Sequence, residues 1–257
     1  MGEIVRDFYD DLAGSYRLMF EDWDASVARQ ASILGPLLER ACGAPGTVRI
    51  LDCACGIGTQ ALGLAKLGFH VAGSDLSPVA IAEARAEASR RGLDLPLYAA
   101  DMRRLDSFPE AGFDAVICMD NALPHLPGGE VLAEAAAQMR AKLRPGGTFM
   151  ASIRDYDRLI RERPMVQGPA LYSDAGMRRI VFQVWDWIGE RRYRFHLYIT
   201  RETPEGWRTL HGVSEYHPVL REELTSILES TGFVHVRWLM PAESGFYQPL
   251  VLCVAPG

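Results

Sequence analysis

The sequence has no C-x-x-C pair and no cysteine–histidine spacing suited to zinc, and its five cysteines, Cys42, Cys53, Cys55, Cys118 and Cys253, are scattered and odd in number. That excludes a disulfide framework and gives no expectation of a metal. Most of these cysteines sit in or beside apolar runs, so they read as small buried residues in a reducing compartment. No apolar stretch approaches the ~20 residues of a membrane span. The first twenty residues lack the basic start, apolar block and small-residue cleavage site of a secretory leader. A soluble cytoplasmic protein is the expectation. Positive charge is also scarce, since the formal net charge is -6 and acids interrupt the arginine clusters at 161–163, 178–179 and 191–194. Neither nucleic acid nor an anionic membrane surface is an expected partner.

What the sequence does have is apolar content, 48% over 257 residues, enough for one substantial core. The stretch 49–61, R-I-L-D-C-A-C-G-I-G-T-Q-A, reads as a buried strand, a glycine-rich turn at Gly56 and Gly58, and the start of a helix. Before it lies a helical, aromatic-rich segment, 1–46. There Ile4, Val5, Phe8 and Leu12 share one helical face, and Gly35-Pro36 marks a kink or break in the second helical stretch, 24–41.

After it, strand and helix alternate. Strands are expected at 48–53, 69–73, 97–100, 113–119 and 148–153, with helices at 59–67, 78–92 and 130–143; Ser77 and Pro78 open the second of these helices. Such repeated units mean a Rossmann-like α/β fold, a mostly parallel sheet with helices on both faces. Three period-two segments, 179–188, 191–201 and 207–216, predict a small inserted antiparallel sheet. A helix at 220–230 and strands at 233–240 and 250–255 close the chain, and the short loop between these strands makes them antiparallel neighbours. The domain reading is a single unit: a helical lid over 1–46, a core over 47–155 and 218–257, and an inserted β region over 172–217. The inserted sheet also offers a surface for a homo-oligomer.

Two ligands compete for the glycine-rich turn. G-I-G-T-Q-A fits G-x-G-x-x-A, and Asp75 lies 19 residues after Gly56 at a strand end, where a carboxylate holds ribose hydroxyls; taken alone this allows NAD and an oxidoreductase. Asp52 speaks for a different ligand. At the end of the first strand an anion repels a pyrophosphate but suits the ammonium of a methionyl group. Asp101 ends the third strand, where it faces an adenine amino group.

With these residues in place, the chain resembles the class I S-adenosylmethionine-dependent methyltransferases. The matching motifs are I-L-D-C-A-C-G-I-G-T, V-A-G-S-D-L-S-P, A-A-D-M, F-D-A-V-I-C-M-D-N-A-L-P-H-L and L-R-P-G-G-T-F, with Ala54 where the family often has glycine. The resemblance implies seven strands with the last antiparallel, and S-adenosyl-L-methionine as cofactor. It places Asp52, Ala54, Gly56 and Gly58 on the methionyl part, Asp75 and Leu76 on ribose and adenine, Asp101 and Met102 on the adenine edge, and Met119 beside the sulfonium.

The segment Ser152-Ile-Arg154-Asp-Tyr156-Asp157 is similar to that of glycine and sarcosine N-methyltransferases, in which the arginine binds the substrate carboxylate. The alternative for Arg154 is pairing with Asp155 or Asp157. Asn121 and His125 follow the fourth strand, where the acceptor is presented, and His125 is a candidate proton acceptor. Among the aromatics Tyr9, Tyr16, Trp23, Trp185, Trp187, Phe246 and Tyr247, Tyr16 and Trp23 are candidates for the cofactor's cationic sulfur, and Tyr16 also for catalysis. The expected reaction is methyl transfer to a small-molecule acceptor with a carboxylate or aromatic ring, first the nitrogen of an amino acid or amine. Carbon or oxygen methylation of an indole or phenol is the second choice. A non-catalytic cofactor-binding partner subunit remains open, because the chemistry requires no enzyme nucleophile.

Overall fold

The computed structural model describes residues 2–174 and 176–257. The chain opens with α1 (Gly2–Leu12), a 3₁₀ turn over Ala13–Met19 and α2 (Trp23–Cys42). Asp22 caps α2 by accepting from the Ala25 amide at 2.9 Å. Of the two expectations at Gly35-Pro36, a kink or a break, the break does not occur: α2 runs through both residues as one helix. Packing supplies the reason. A Cβ on Gly35 would lie 2.7 Å from Leu67, and one on Gly63 in the next helix 2.8 Å from both Ala31 and the Val27 carbonyl. Contact that close keeps the helix continuous despite the hydrogen bond Pro36 removes.

The alternating units follow: β1 (Arg49–Asp52), α3 (Thr59–Lys66), β2 (His70–Asp75), α4 (Pro78–Arg90), β3 (Leu97–Ala99), β4 (Phe113–Cys118), α5 (Gly128–Lys142) and β5 (Leu143–Ser152). Ser77 caps α4 by accepting from the Ala80 amide at 2.9 Å, with Pro78 at its first turn. Next come α6 (Tyr156–Glu162), β6 (Val166–Asp174), β7 (Met177–Trp187), β8 (Tyr193–Thr203), β9 (Gly206–Tyr216), α7 (Arg221–Ser230), β10 (Val234–Leu239), α8 (Pro241–Ser244) and β11 (Leu250–Val254).

One sheet has the order β10-β11-β5-β4-β1-β2-β3, with β11 antiparallel to both of its neighbours and the remaining pairs parallel. Apolar clusters fill both faces: α2, α3 and α4 pack on one, α5 and α7 on the other. The second sheet is β6-β7-β8-β9, wholly antiparallel. Its edge strand β6 begins before the expected inserted region. Gly168 and Pro169 break the period-two pattern there, and the β6–β7 register shifts between Gln167 and Ala170. The inner face of the second sheet, Trp185, Tyr193, Phe195, Leu197, Ile199 and Tyr216, is continuous with the α5 side of the core and receives Phe8 and Leu12 of α1. Phe8 meets Phe195 edge-on, with ring centroids 5.3 Å apart.

Candidate active site

The carboxyl ends of β1, β2 and β4 and the segment after β3 converge on one pocket, as open α/β sheets place their ligands. In the turn after β1, Gly56 and Gly58 take φ of 52° and 94°, which L side chains avoid, and Gly58 starts α3. Asp75 is held by two amides, Gly56 to Oδ2 at 2.8 Å and Ser77 to Oδ1 at 2.9 Å. Its carboxyl is raised above the ordinary range by enclosure, partly offset by those amides. Asp101 accepts from the Arg103 amide at 2.9 Å and pairs with its guanidinium, and its carboxyl lies below the ordinary range because those bonds outweigh its partial burial. Asp52 is fully buried beneath the turn. One oxygen receives a long contact from the Ala54 amide at 3.4 Å, and Oδ2 has no partner. Burial lifts this carboxyl to about 8. A buried carboxylate oxygen without a donor, beside a turn that carries glycine at 56 and 58, fits a ligand bearing an ammonium group.

Tyr16, Ala54, Gly56, Asp75, Leu76, Asp101, Met102, Met119 and His125 line this pocket. Asp52 and Gly58 do not reach its wall; they shape the turn from behind. Trp23 is elsewhere. It is buried where α2 meets α3, donates from Nε1 to Thr59 Oγ1 at 3.1 Å, and lies between the Arg17 and Arg91 guanidiniums. An aromatic at the start of a helix packed on α3 serves the core and does not border this pocket. Asn121 is likewise a support and not a wall residue. It is buried, its Oδ1 accepts from the Arg154 amide at 3.0 Å and its Nδ2 donates to the Tyr156 hydroxyl at 2.9 Å.

A second cavity of about 600 Å³ opens on the other side of Tyr9, Tyr16 and Asp120, between the strand ends and the inner face of the second sheet. Arg154 lies in its wall, stacked 4.8 Å from the Trp185 ring and 5.1 Å from the Tyr216 ring. It donates to the Tyr193 hydroxyl at 2.8 Å and to Gln183 Oε1 at 3.3 Å. Enclosure works against its charge, but the surrounding Tyr193, Tyr216 and Tyr156 oxygens outweigh that and keep it firmly charged. The neighbouring acids do not neutralise it. Asp155 and Asp157 both pair with Arg221 at the start of α7, at 2.7 and 3.2 Å. Among the described residues, no carboxylate pairs with Arg154.

Between the two cavities lies a chain of three groups. His125 Nδ1 donates to the Glu215 carbonyl at 3.1 Å, which leaves Nε2 to accept from the Tyr9 hydroxyl at 2.9 Å. Burial depresses the imidazole to about 3, so it is neutral and stays in this tautomer. Tyr9 and Asp120 are the site residues that sequence patterning did not single out for a role. Tyr9 was one aromatic among several on an amphipathic helix. Asp120 stands directly after Met119 at a strand end, the same kind of position that marks Asp52, Asp75 and Asp101, and that signal was present. Of the other aromatics, Trp185 and Tyr247 line the second cavity, while Trp187 bonds the Pro164 carbonyl and Phe246 is buried in the core.

Residues 50–147 match the family described as a methyltransferase domain. Those residues carry a methyltransferase domain. This match sets aside the dinucleotide alternative. The chain is 26% identical over 190 residues to a glycine/sarcosine N-methyltransferase of Halorhodospira halochloris, covering 74% of this chain and 66% of that protein. It is 34% identical over 158 residues to a glycine/sarcosine N-methyltransferase of Parasynechococcus marenigrum, covering 62% and 53%. It thus spans between about half and two thirds of these relatives' lengths. In fold, the methyltransferase domain and its inserted sheet resemble an S-adenosylmethionine-bound amino pentose methyltransferase of Micromonospora echinaspora, with a TM-score of 0.73 and 24% identity over 94% of this chain and 95% of that one. Among the described residues, no helix is long and apolar enough to cross a membrane and no cluster of side chains suits a metal ion.

Proposed function

We propose that this protein transfers a methyl group from S-adenosylmethionine to the nitrogen of a small amino acid or amine bearing a carboxylate. The observation that carries this reading is Arg154, a charged guanidinium clamped between two aromatic rings in the wall of the second cavity, with its nearby acids diverted to Arg221. An arginine so placed has donors to spare and no intramolecular anion, so it calls for a carboxylate from outside. The names of the two relatives, both glycine/sarcosine N-methyltransferases, agree with nitrogen as the acceptor atom.

Bound in the first pocket, S-adenosylmethionine supplies a methyl carbon already activated by positively charged sulfur. Asp75 would offer its remaining lone pairs to ribose hydroxyls, Asp101 and Met102 would border the adenine, and Asp52, buried behind the pocket wall, would act on the methionyl ammonium only through the turn it supports. Tyr9 and Tyr16 stand where the two cavities meet, so they border the line of methyl transfer and exclude water from it. The Tyr9 proton is committed to His125. Stacked rings on the inner sheet face, Trp185 on Tyr193 and Phe195 on Tyr216, give the cavity a flat wall. That wall favours, as a second reading, a carboxylate attached to an aromatic ring and methylation of its phenol.

The test is a mass-detected methylation screen over amino acids, amines and phenols. In Arg154→Gln, the acceptor KM should rise by about tenfold or more, the scale of a lost charge-assisted bond, while calorimetry shows unchanged affinity for S-adenosylhomocysteine. Equal loss of both affinities would make Arg154 a structural residue. Absence of any binding of S-adenosylmethionine or its demethylated product would end the reading altogether.

A further inference from the structure

Among the described residues, Asp120 supplies the one carboxylate that borders both cavities. Its backbone sits at φ 55°, a region that costs a non-glycine residue energy and that local bonds must hold. The hold is visible: the Asp120 amide donates to Ser152 Oγ at 2.8 Å and the Asn121 amide to the Ser152 carbonyl at 3.2 Å. The side chain is equally fixed. Gln60 Nε2 donates to Oδ2 at 2.8 Å and also to Gln30 Oε1 at 2.7 Å, while the Tyr247 hydroxyl donates to Oδ1. All of these partners are neutral. Among the described residues no arginine, lysine or histidine forms an ion pair with Asp120, so the carboxylate is aimed without being cancelled.

We propose that Asp120 receives the ammonium group of the methyl acceptor and takes the proton it must lose. The proposal rests on the reading of this site as a nitrogen methyltransferase, and deepens it: with Arg154 in the same cavity, the preferred acceptor is a zwitterion, its carboxylate on Arg154 and its ammonium on Asp120. An ammonium nitrogen has no lone pair and cannot attack carbon. One N–H bond of the acceptor breaks and its proton passes to a carboxylate oxygen of Asp120. The electron pair left on nitrogen then forms the bond to the methyl carbon as the carbon–sulfur bond breaks, and that bond's pair stays on sulfur. The product is a methylated ammonium, and the Asp120 proton leaves to water as the product departs. Enclosure raises the Asp120 carboxyl above the ordinary range, against the opposing pull of Tyr247, Gln60 and the Arg29 charge, which suits a carboxylate that must accept a proton. Tyr16, Tyr247, Arg29 and Asp52 are the titratable or charged groups that face it.

The test is Asp120→Asn, with Asp120→Glu as the charge-retaining partner, assayed on glycine and sarcosine, on ethanolamine as an amine without a carboxylate, and on a simple phenol. Binding of S-adenosylhomocysteine by both variants verifies that the pocket is folded. With Asp120→Asn, kcat/KM for the accepted amine should fall by about 100-fold, the scale of general base catalysis, and the acid limb of its pH profile should move upward toward the free amine's own pKa. Asp120→Glu should recover part of the rate. Affinities for S-adenosylmethionine and S-adenosylhomocysteine should stay the same.

An unchanged kcat/KM overturns the proposal. So does a selective loss of S-adenosylmethionine affinity with the acceptor KM intact, which assigns Asp120 to the sulfonium. Turnover of ethanolamine with the full Asp120→Asn loss keeps the proposal and removes the carboxylate reading of Arg154. A protein that methylates only phenols, or no amine, overturns both.

Discussion

At the scale of single residues the site is a set of charges held off balance. Asp52 and His125 show it in opposite directions. Burial lifts the Asp52 carboxyl from 3.8 to about 8, so between those values the folded chain holds a proton that the unfolded chain releases. The stability tied to that proton is complete below 3.8 and is lost as pH rises through 8. Burial lowers His125 from 6.5 to about 3, so its contribution is complete above 6.5 and is lost as pH falls toward 3. Thermal melts of the unliganded protein from pH 6 to 9 should therefore show a fall in Tm that Asp52→Asn removes, with a limiting slope of about 1.4 kcal/mol per pH unit for one proton. Parallel pH dependences in the two proteins would clear Asp52 of this role. The residues that carry the charges were readable because three of them end strands. Their states were not, because a pKa depends on enclosure and on hydrogen-bond partners from other elements, such as the Glu215 carbonyl that accepts from His125.

At the scale of elements, the alternation of apolar strands and helices was legible because each unit satisfies its pattern locally. Ser77-Pro78 opens α4 as its chemistry requires. Two elements depended on neighbours instead. The helix α2 survives Pro36 because it is pressed against α3, and β6 survives Gly168-Pro169 because β7 pairs with it on both sides of the irregularity. The α2–α3 contact has a measurable consequence. Gly63→Val places atoms where Ala31 and the Val27 carbonyl already stand at 2.8 Å, and overpacking of this kind costs about 1–3 kcal/mol. Urea denaturation should show that loss, and unaltered stability would mean that the two helices separate freely. The same variant should also weaken donor binding, because α3 carries Thr59 and Gln60 in the pocket wall.

At the scale of the whole molecule, the two cavities share a wall that belongs to no single element. The wall draws Tyr9 from α1, Tyr16 from the 3₁₀ turn and Asp120 from the end of β4. The N-terminal segment is tied down at several points: Phe8 on Phe195, Asp10 to the Ser77 hydroxyl, and the Leu18 and Phe20 carbonyls to Arg179. Because Val5, Tyr9 and Tyr16 all border the donor pocket, a bound donor should stabilise this segment. Limited trypsin digestion should cleave at Arg17 more slowly with S-adenosylhomocysteine present than without it. Equal rates would mean that the segment does not respond to the donor.

The sequence by itself determined the sheet, the glycine-rich turn and the strand-end acids Asp52, Asp75 and Asp101, because strand periodicity, left-handed turns and burial of apolar runs act within a few residues of one another. Only the tertiary structure decided that Trp23 packs in the core, that Arg221 draws Asp155 and Asp157 away from Arg154, and that Asp120 stands between the two cavities. Each of those outcomes depends on residues far apart in the chain. Where a charge finds its partner is set by which surfaces the fold brings together, and short-range pattern carries no record of that.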